Sequence, residues 1–118
     1  LSSCRADFSV LSGDDFTALP LMALGGKGVI SVTSNIVPGR MAAMCNAFNK
    51  GDIAGAARIH HELFPLHEAM FFESNPIPAK TALNLMGKME AELRLPLCPM
   101  GAAAKEKPQG VLRQLKLI

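Results

Sequence analysis

Gly25-Gly26-Lys27-Gly28-Val29-Ile30-Ser31-Val32-Thr33-Ser34-Asn35 is the stretch whose reading decides the fold. Within it, Gly28–Thr33 is short, rich in β-branched residues and bounded by turn formers, which predicts a strand. Gly25-Gly26 predicts the end of a preceding helix, because glycine readily takes the left-handed C-cap conformation. Working upstream, that helix runs through Phe16, Leu19, Met22 and Ala23, with Pro20 in its first turns where a missing N–H matters least. Asp14 or Asp15 is placed to cap it by accepting bonds from the free N–H groups. Before them, Phe8-Ser9-Val10-Leu11 reads as a buried strand closed by the turn Ser12-Gly13-Asp14-Asp15. Working downstream, Ser34-Asn35 forms a loop and Pro38 opens a helix with Met41, Met44, Cys45 and Phe48 at helical spacing; Lys50-Gly51 stops it. Residues 1–50 therefore read strand, helix, strand, helix. Two strands joined by a helix are parallel with a right-handed crossover. Such strands need both faces covered and neighbours on both edges, which two strands alone do not provide.

Residues 51–118 change character and read as a helical extension. Asp52 is placed to cap a long helix carrying Ile53, Ala56, Ile59, Leu63, Leu66 and Met70, and Pro65 should kink or split it. Asn75-Pro76-Ile77-Pro78 breaks the chain, and Pro78 opens a helix through Leu83 and Met86. Leu95-Pro96-Leu97-Cys98-Pro99 is an extended connector, and a last helix carries Val111, Leu112, Leu115 and Ile118.

The bulk composition excludes several classes of function. With 49% hydrophobic and 19% charged residues, the chain has an ordinary globular balance. Its 12 basic and 10 acidic residues are scattered, and it has no Trp or Tyr, so it carries no nucleic-acid footprint. No apolar run reaches the roughly 18–20 residues that cross a membrane. Leu1-Ser2-Ser3-Cys4-Arg5 is not a signal peptide, since no apolar segment follows a basic start. Cys4, Cys45 and Cys98 are odd in number and lack a CxxC pair, which argues for a reducing, cytoplasmic setting rather than a disulfide framework or zinc site. His61-Glu62 begins like HExxH, but the fifth position is Pro65, and the same proline disturbs a shared face for His60 and His67. No metal or cofactor is expected. Gly26-x-Gly28 precedes a strand instead of following one, so it reads as a cap and turn and not as a nucleotide loop. Asp14-Asp15 reads as a cap and dipole pair in preference to an acid–base pair. Met22, Met41, Met44 and Met70 read as core filling, and Cys45 as a small buried hydrophobe.

Four strings together resemble one family. Leu11-Ser12-Gly13-Asp14-Asp15 is similar to the end of strand seven in the dihydrodipicolinate synthases, also called 4-hydroxy-tetrahydrodipicolinate synthases, of the class I pyruvate aldolase superfamily. The opening stretch, Gly25 to Asn35, resembles their strand-eight signature. Phe72-Glu73-Ser74-Asn75-Pro76-Ile77-Pro78-Ala79-Lys80 resembles their E-x-NPIPVK string, and Leu93-Arg94-Leu95-Pro96-Leu97 the turn before their last helix. The strings stand in the family's order and cover nearly the whole chain. The fold this implies is α/β: residues 1–50 are the last two βα units (strands seven and eight) of a TIM (β/α)8 barrel, and residues 51–118 the C-terminal helical extension.

The activity implied is condensation of pyruvate with L-aspartate 4-semialdehyde, on the route to lysine and diaminopimelate. A lysine near the end of strand six forms the Schiff base. That lysine, the proton-relaying tyrosine and threonines and the carboxylate-binding arginine have no counterpart here, so no catalytic residue is expected in this chain. Two positions carry over. Gly13 would let the backbone approach the pocket, and Ile30 would line the pyruvate site through its main-chain carbonyl, both on the face where such barrels do chemistry. A barrel needs at least about 200 residues, so the sequence is expected to be a C-terminal fragment, inactive alone, of a homo-oligomeric enzyme (tetramer or dimer). The alternatives are another pyruvate aldolase, such as N-acetylneuraminate lyase, or a non-catalytic helical interaction module built from residues 52–118.

Overall fold

The computed structural model describes residues 2–118. Two compact units divide the chain, the first ending at Phe64 and the second running from Pro65 to Ile118. The division falls inside a helix.

The first unit holds two short parallel strands, β1 (Leu11–Ser12) and β2 (Gly28–Val29), with Leu11 opposite Gly28 and Ser12 opposite Val29. Between them lies α1 (Ala18–Ala23), which packs on both strands, and after β2 come a 3-10 turn, Thr33–Asn35, and α2 (Pro38–Asn49). The expected β-α-β-α order holds, but both strands are shorter than the sequence suggests. Flanking bonds from Lys27 N to Val10 O and from Ile30 N to Ser12 O, each 2.8 Å, extend the ladder slightly at either end. Beyond Ile30 the chain leaves the extended conformation, although Val32 and Thr33 favour strand. The Asp15 carboxylate draws them away by accepting both of their main-chain N–H groups.

Buried residues of this unit include Ala18, Met22, Ile36, Val37, Met41, Met44 and Leu63. Met22, Met41 and Met44 thus fill the core as the helical spacing suggested, whereas Cys45 is only half-buried. Pro38 occupies the first turn of α2, where its missing N–H has no intrahelical partner to lose.

Helix α3 (Ile53–Met70) runs unbroken through Pro65, against the expectation of a split. An internal proline costs about 3 kcal/mol. Burial of Leu63, Leu66 and Met70, all essentially inaccessible, contributes about 1.5–3 kcal/mol for each side chain, so packing on either side outweighs the lost bond. Asp52 caps α3 as expected, accepting the Gly55 N–H at 2.8 Å. A Cβ on Gly55 would lie 2.1 Å from the Asp52 carboxylate, so a larger residue there would make that carboxylate shift.

In the second unit, α4 (Ile77–Leu85) packs with α5 (Ala102–Gln114). Ile77, Pro78, Ala79, Ala82, Met100, Pro108 and Leu112 are buried there. The last helix starts earlier than its apolar residues suggest and stops at Gln114, leaving Ile118 outside it and exposed. The connector between α4 and α5 is held by Lys80 Nζ donating to Glu92 O and by Asn84 Nδ2 donating to Met89 O at 3.0 Å. Lys107 Nζ stands 4.5 Å from the centre of the Phe72 ring, a cation–π contact. Among the described residues no helix is long and apolar enough to cross a membrane.

The ends of α1, α2, α4 and α5 follow one pattern. At the end of α1, Gly25 has φ 103°, its N–H donates to Met22 O, and the Gly26 N–H donates to Leu21 O. This double closure satisfies two terminal carbonyls. The same pair of bonds closes α5, from Lys116 N to Arg113 O and from Leu117 N to Leu112 O. Here the left-handed position is Lys116, with φ 57°. A side chain is disfavoured in that conformation, and the penalty exceeds glycine's extra unfolded-state entropy. Lys116→Gly should therefore stabilise the intact protein by about 0.5–1 kcal/mol. A rise in urea midpoint with unchanged slope would show it, and an unchanged or lower midpoint would contradict it.

Candidate functional site

The candidate site lies at the C-terminal ends of β1 and β2. Parallel strands bring their carboxyl ends to one edge. Because Ser12 pairs with Val29, Gly13 and Ile30 are the next residues out of the two strands. The Ile30 N–H donates to Ser12 O at 2.8 Å, which ties the two exits together. A Cβ built on Gly13 meets nothing within 4 Å, and the Ile30 side chain is 67% exposed. Ile30 is thus not packed as core within these residues. Lys27 sits at the opposite end of β2, and the other lysines lie in helices or turns, so no amine joins this edge of the sheet from either strand.

Behind that edge is a group whose role the sequence reading misplaced. Asp15 does not cap α1, whose N-cap is Thr17 with no side-chain cap bond. Its carboxylate reaches across instead. Ser31 Oγ donates to Asp15 Oδ1 at 2.5 Å, and the Val32 and Thr33 N–H groups donate to Asp15 Oδ2 at 3.0 Å each. Asp15 is 0% exposed. A buried carboxylate is tolerable only when charge-assisted bonds replace its water, and here one hydroxyl and two main-chain N–H groups do so. Those N–H groups open the 3-10 turn, so a residue 17 and 18 positions upstream supplies its cap. The Ser31 hydroxyl also accepts the Ser34 N–H at 2.8 Å, and Ser34 Oγ donates to Ser31 O at 2.9 Å.

On the other side of Gly13, Ser12 Oγ bonds to Asp14 O and to Thr17 Oγ1, both at 2.7 Å, closing the turn on itself. The sequence signal for the Asp15 contact was weak: an acidic residue after one strand and a hydroxyl-rich run after another, with nothing to pair them.

The histidines form a separate feature. His60 is 8% exposed; its ring lies edge-on to Phe64 at 5.6 Å and to His61 at 5.7 Å between centroids, and Phe64 in turn meets Phe16 at 5.7 Å. Among the described residues no three His, Cys, Asp or Glu side chains cluster to hold a metal ion. Burial also pushes the Cys45 thiol up from its ordinary pKa.

With this geometry in hand, similarity to known proteins decides the family. The sequence pattern of the dihydrodipicolinate synthetase family matches residues 1–115. The chain belongs to that family. It is 57% identical over 112 residues to the 4-hydroxy-tetrahydrodipicolinate synthase of Nitratidesulfovibrio vulgaris, covering 95% of this chain and 38% of that protein. Among solved structures it is similar to the dihydrodipicolinate synthase of Thermotoga maritima, with a TM-score of 0.94, 45% identity, and coverage of 97% of this chain and 39% of that one. It is also similar to the chloride-inhibited dihydrodipicolinate synthase of Acinetobacter baumannii, a structure complexed with pyruvate, with a TM-score of 0.90, 40% identity, and coverage of 94% and 38%. This member of the dihydrodipicolinate synthetase family thus spans about two-fifths of the length of the relatives it matches.

Burial, and then the nearby His61, holds the His60 pKa below its ordinary value of 6.5. The folded state therefore prefers the neutral ring, and this contribution to stability is complete above the unfolded-chain value, about 6.5. It is lost as pH falls through the lower folded value. Acidification below about pH 6.5 should lower the unfolding midpoint of the intact protein, and His60→Gln should flatten that fall. An NMR titration in which His60 gains its proton at or above the unfolded-chain value would contradict this.

Proposed function

We propose that these residues are the seventh and eighth βα units and the C-terminal helical extension of a (β/α)8 4-hydroxy-tetrahydrodipicolinate synthase. In that reading residues 1–50 belong to the barrel and residues 51–118 to the extension. The intact enzyme condenses pyruvate with L-aspartate 4-semialdehyde in lysine and diaminopimelate biosynthesis. It is read, by resemblance, as a cytoplasmic homo-oligomer.

What supports the proposal is the parallel register of β1 and β2, which makes Gly13 and Ile30 the next residues out at their carboxyl ends. That is the face where barrels of this type perform chemistry. The likeness to a relative whose structure contains pyruvate supports the substrate class. Gly13 offers backbone without a side chain in the way, and Ile30 offers a main-chain carbonyl as an acceptor beside the bound keto acid. A lysine amine outside these residues attacks the pyruvate ketone, and water leaves to form the imine. The protonated imine withdraws electrons, so the pyruvate methyl group loses a proton and the resulting enamine attacks the aldehyde.

Borohydride reduction in the presence of pyruvate tests the assignment. The full-length protein should gain one reduced pyruvate on a lysine outside these residues, while the 118-residue chain alone should stay unlabelled. Labelling of Lys27 or any other lysine in this chain would overturn it. The full-length protein should also consume pyruvate with the semialdehyde and leave N-acetylneuraminate uncleaved, since the named relatives are synthases.

A further inference from the structure

We infer that Asp15 is a positioning residue for pyruvate, acting through the backbone of Ile30; this rests on the proposed assignment of Ile30 to the pyruvate site. Within these residues Ile30 is largely exposed, so packing among them does not anchor its backbone. Its N–H is fixed by Ser12 O, but the carbonyl belongs to the peptide that follows, beyond the last residue pair of β2.

That peptide is held from its far side by Asp15. The carboxylate collects Ser31 Oγ, Val32 N and Thr33 N, the three residues directly after Ile30. The Ser31–Ser34 bonds then close the loop on itself. The Ile30 carbonyl is therefore clamped between a strand bond on one side and a buried knot on the other. Asp15 also stands two residues after Gly13. One carboxylate thus couples the two backbone segments that would line the pocket and sets the spacing between them. A helix cap would not require this burial, and Asp15 contributes no side-chain cap to α1. The need for an acceptor of three donors explains an acid at 0% exposure, where an unpaired charge would be strongly unfavourable.

Steady-state kinetics of the full-length enzyme separate this role from a merely structural one. Asp15→Ala removes the acceptor of the Ser31, Val32 and Thr33 bonds and should raise the pyruvate KM about tenfold or more. The semialdehyde KM should stay within about twofold, since the displaced carbonyl faces pyruvate. Asp15→Asn keeps an acceptor oxygen for the two N–H groups and can turn its amide toward Ser31 Oγ, so it should restore the pyruvate KM to within about threefold of the parent. An unchanged pyruvate KM in Asp15→Ala, or two KM values rising together, would overturn the inference.

Should Asp15→Ala fail to fold, Ser31→Ala carries the test. It removes one of the three donors and should raise the same KM a few-fold, and no rise at all would count against the clamp. A parent enzyme that neither traps nor turns over pyruvate sinks the proposed function and this inference with it. A fully active parent with silent Asp15 and Ser31 variants sinks only the inference.

Discussion

Asp15 is fully buried, and the local structure follows from how its carboxylate is tolerated there. An unpaired carboxylate in such a place costs several kcal/mol. Charge-assisted hydrogen bonds contribute roughly 1.5–3 kcal/mol each, so the three donors on Ser31, Val32 and Thr33 offset the burial. The chain after β2 is bent to deliver them. Thr33 and Val32 leave the extended conformation their side chains favour, and a 3-10 turn begins where strand propensity alone would continue. The ordering of the first βαβ unit and the shape of its carboxyl edge therefore share one cause.

The helices are governed by simpler terms. Pro38 and Asp52 start α2 and α3, and α1, α2, α4 and α5 end on a left-handed residue that lets two N–H groups reach back to the last turn. Lys116 shows that this end geometry is dictated by closure of the helix and not by glycine, since a lysine is held in the same conformation. In α3 the buried side chains around Pro65 decide the outcome, and local propensity is overruled by packing.

The surface of the first unit bears on the functional reading. Phe8, Leu11 and Ile30 are exposed, and β1 and β2 pair only with each other among the described residues. Parallel strands are ordinarily covered on both faces and paired at both edges. Apolar side chains standing beside an open parallel pair fit a chain that spans two-fifths of its relatives' length. They fit less well with a self-sufficient helical module.

Much of this protein is determined by short-range physics and is legible in its residues. The alternation of strand and helix through residue 50 follows from β-branched runs, apolar spacing and glycine punctuation. The strings around Gly13, Ile30 and Asn75-Pro76-Ile77-Pro78 point to the family without coordinates, and the Asp52 cap follows from its position before an apolar periodic segment. Three features needed the tertiary structure: the early end of β2, the unbroken course of α3 past Pro65, and the use of Asp15 as a tether to residues 31–33. Each depends on partners distant along the chain or on burial, and neither is encoded in a local window. Asp15 looks like a cap because aspartate beside a helix start usually is one. Only the parallel register, which sets Ser12 against Val29, brings Ser31 and the following amides within its reach.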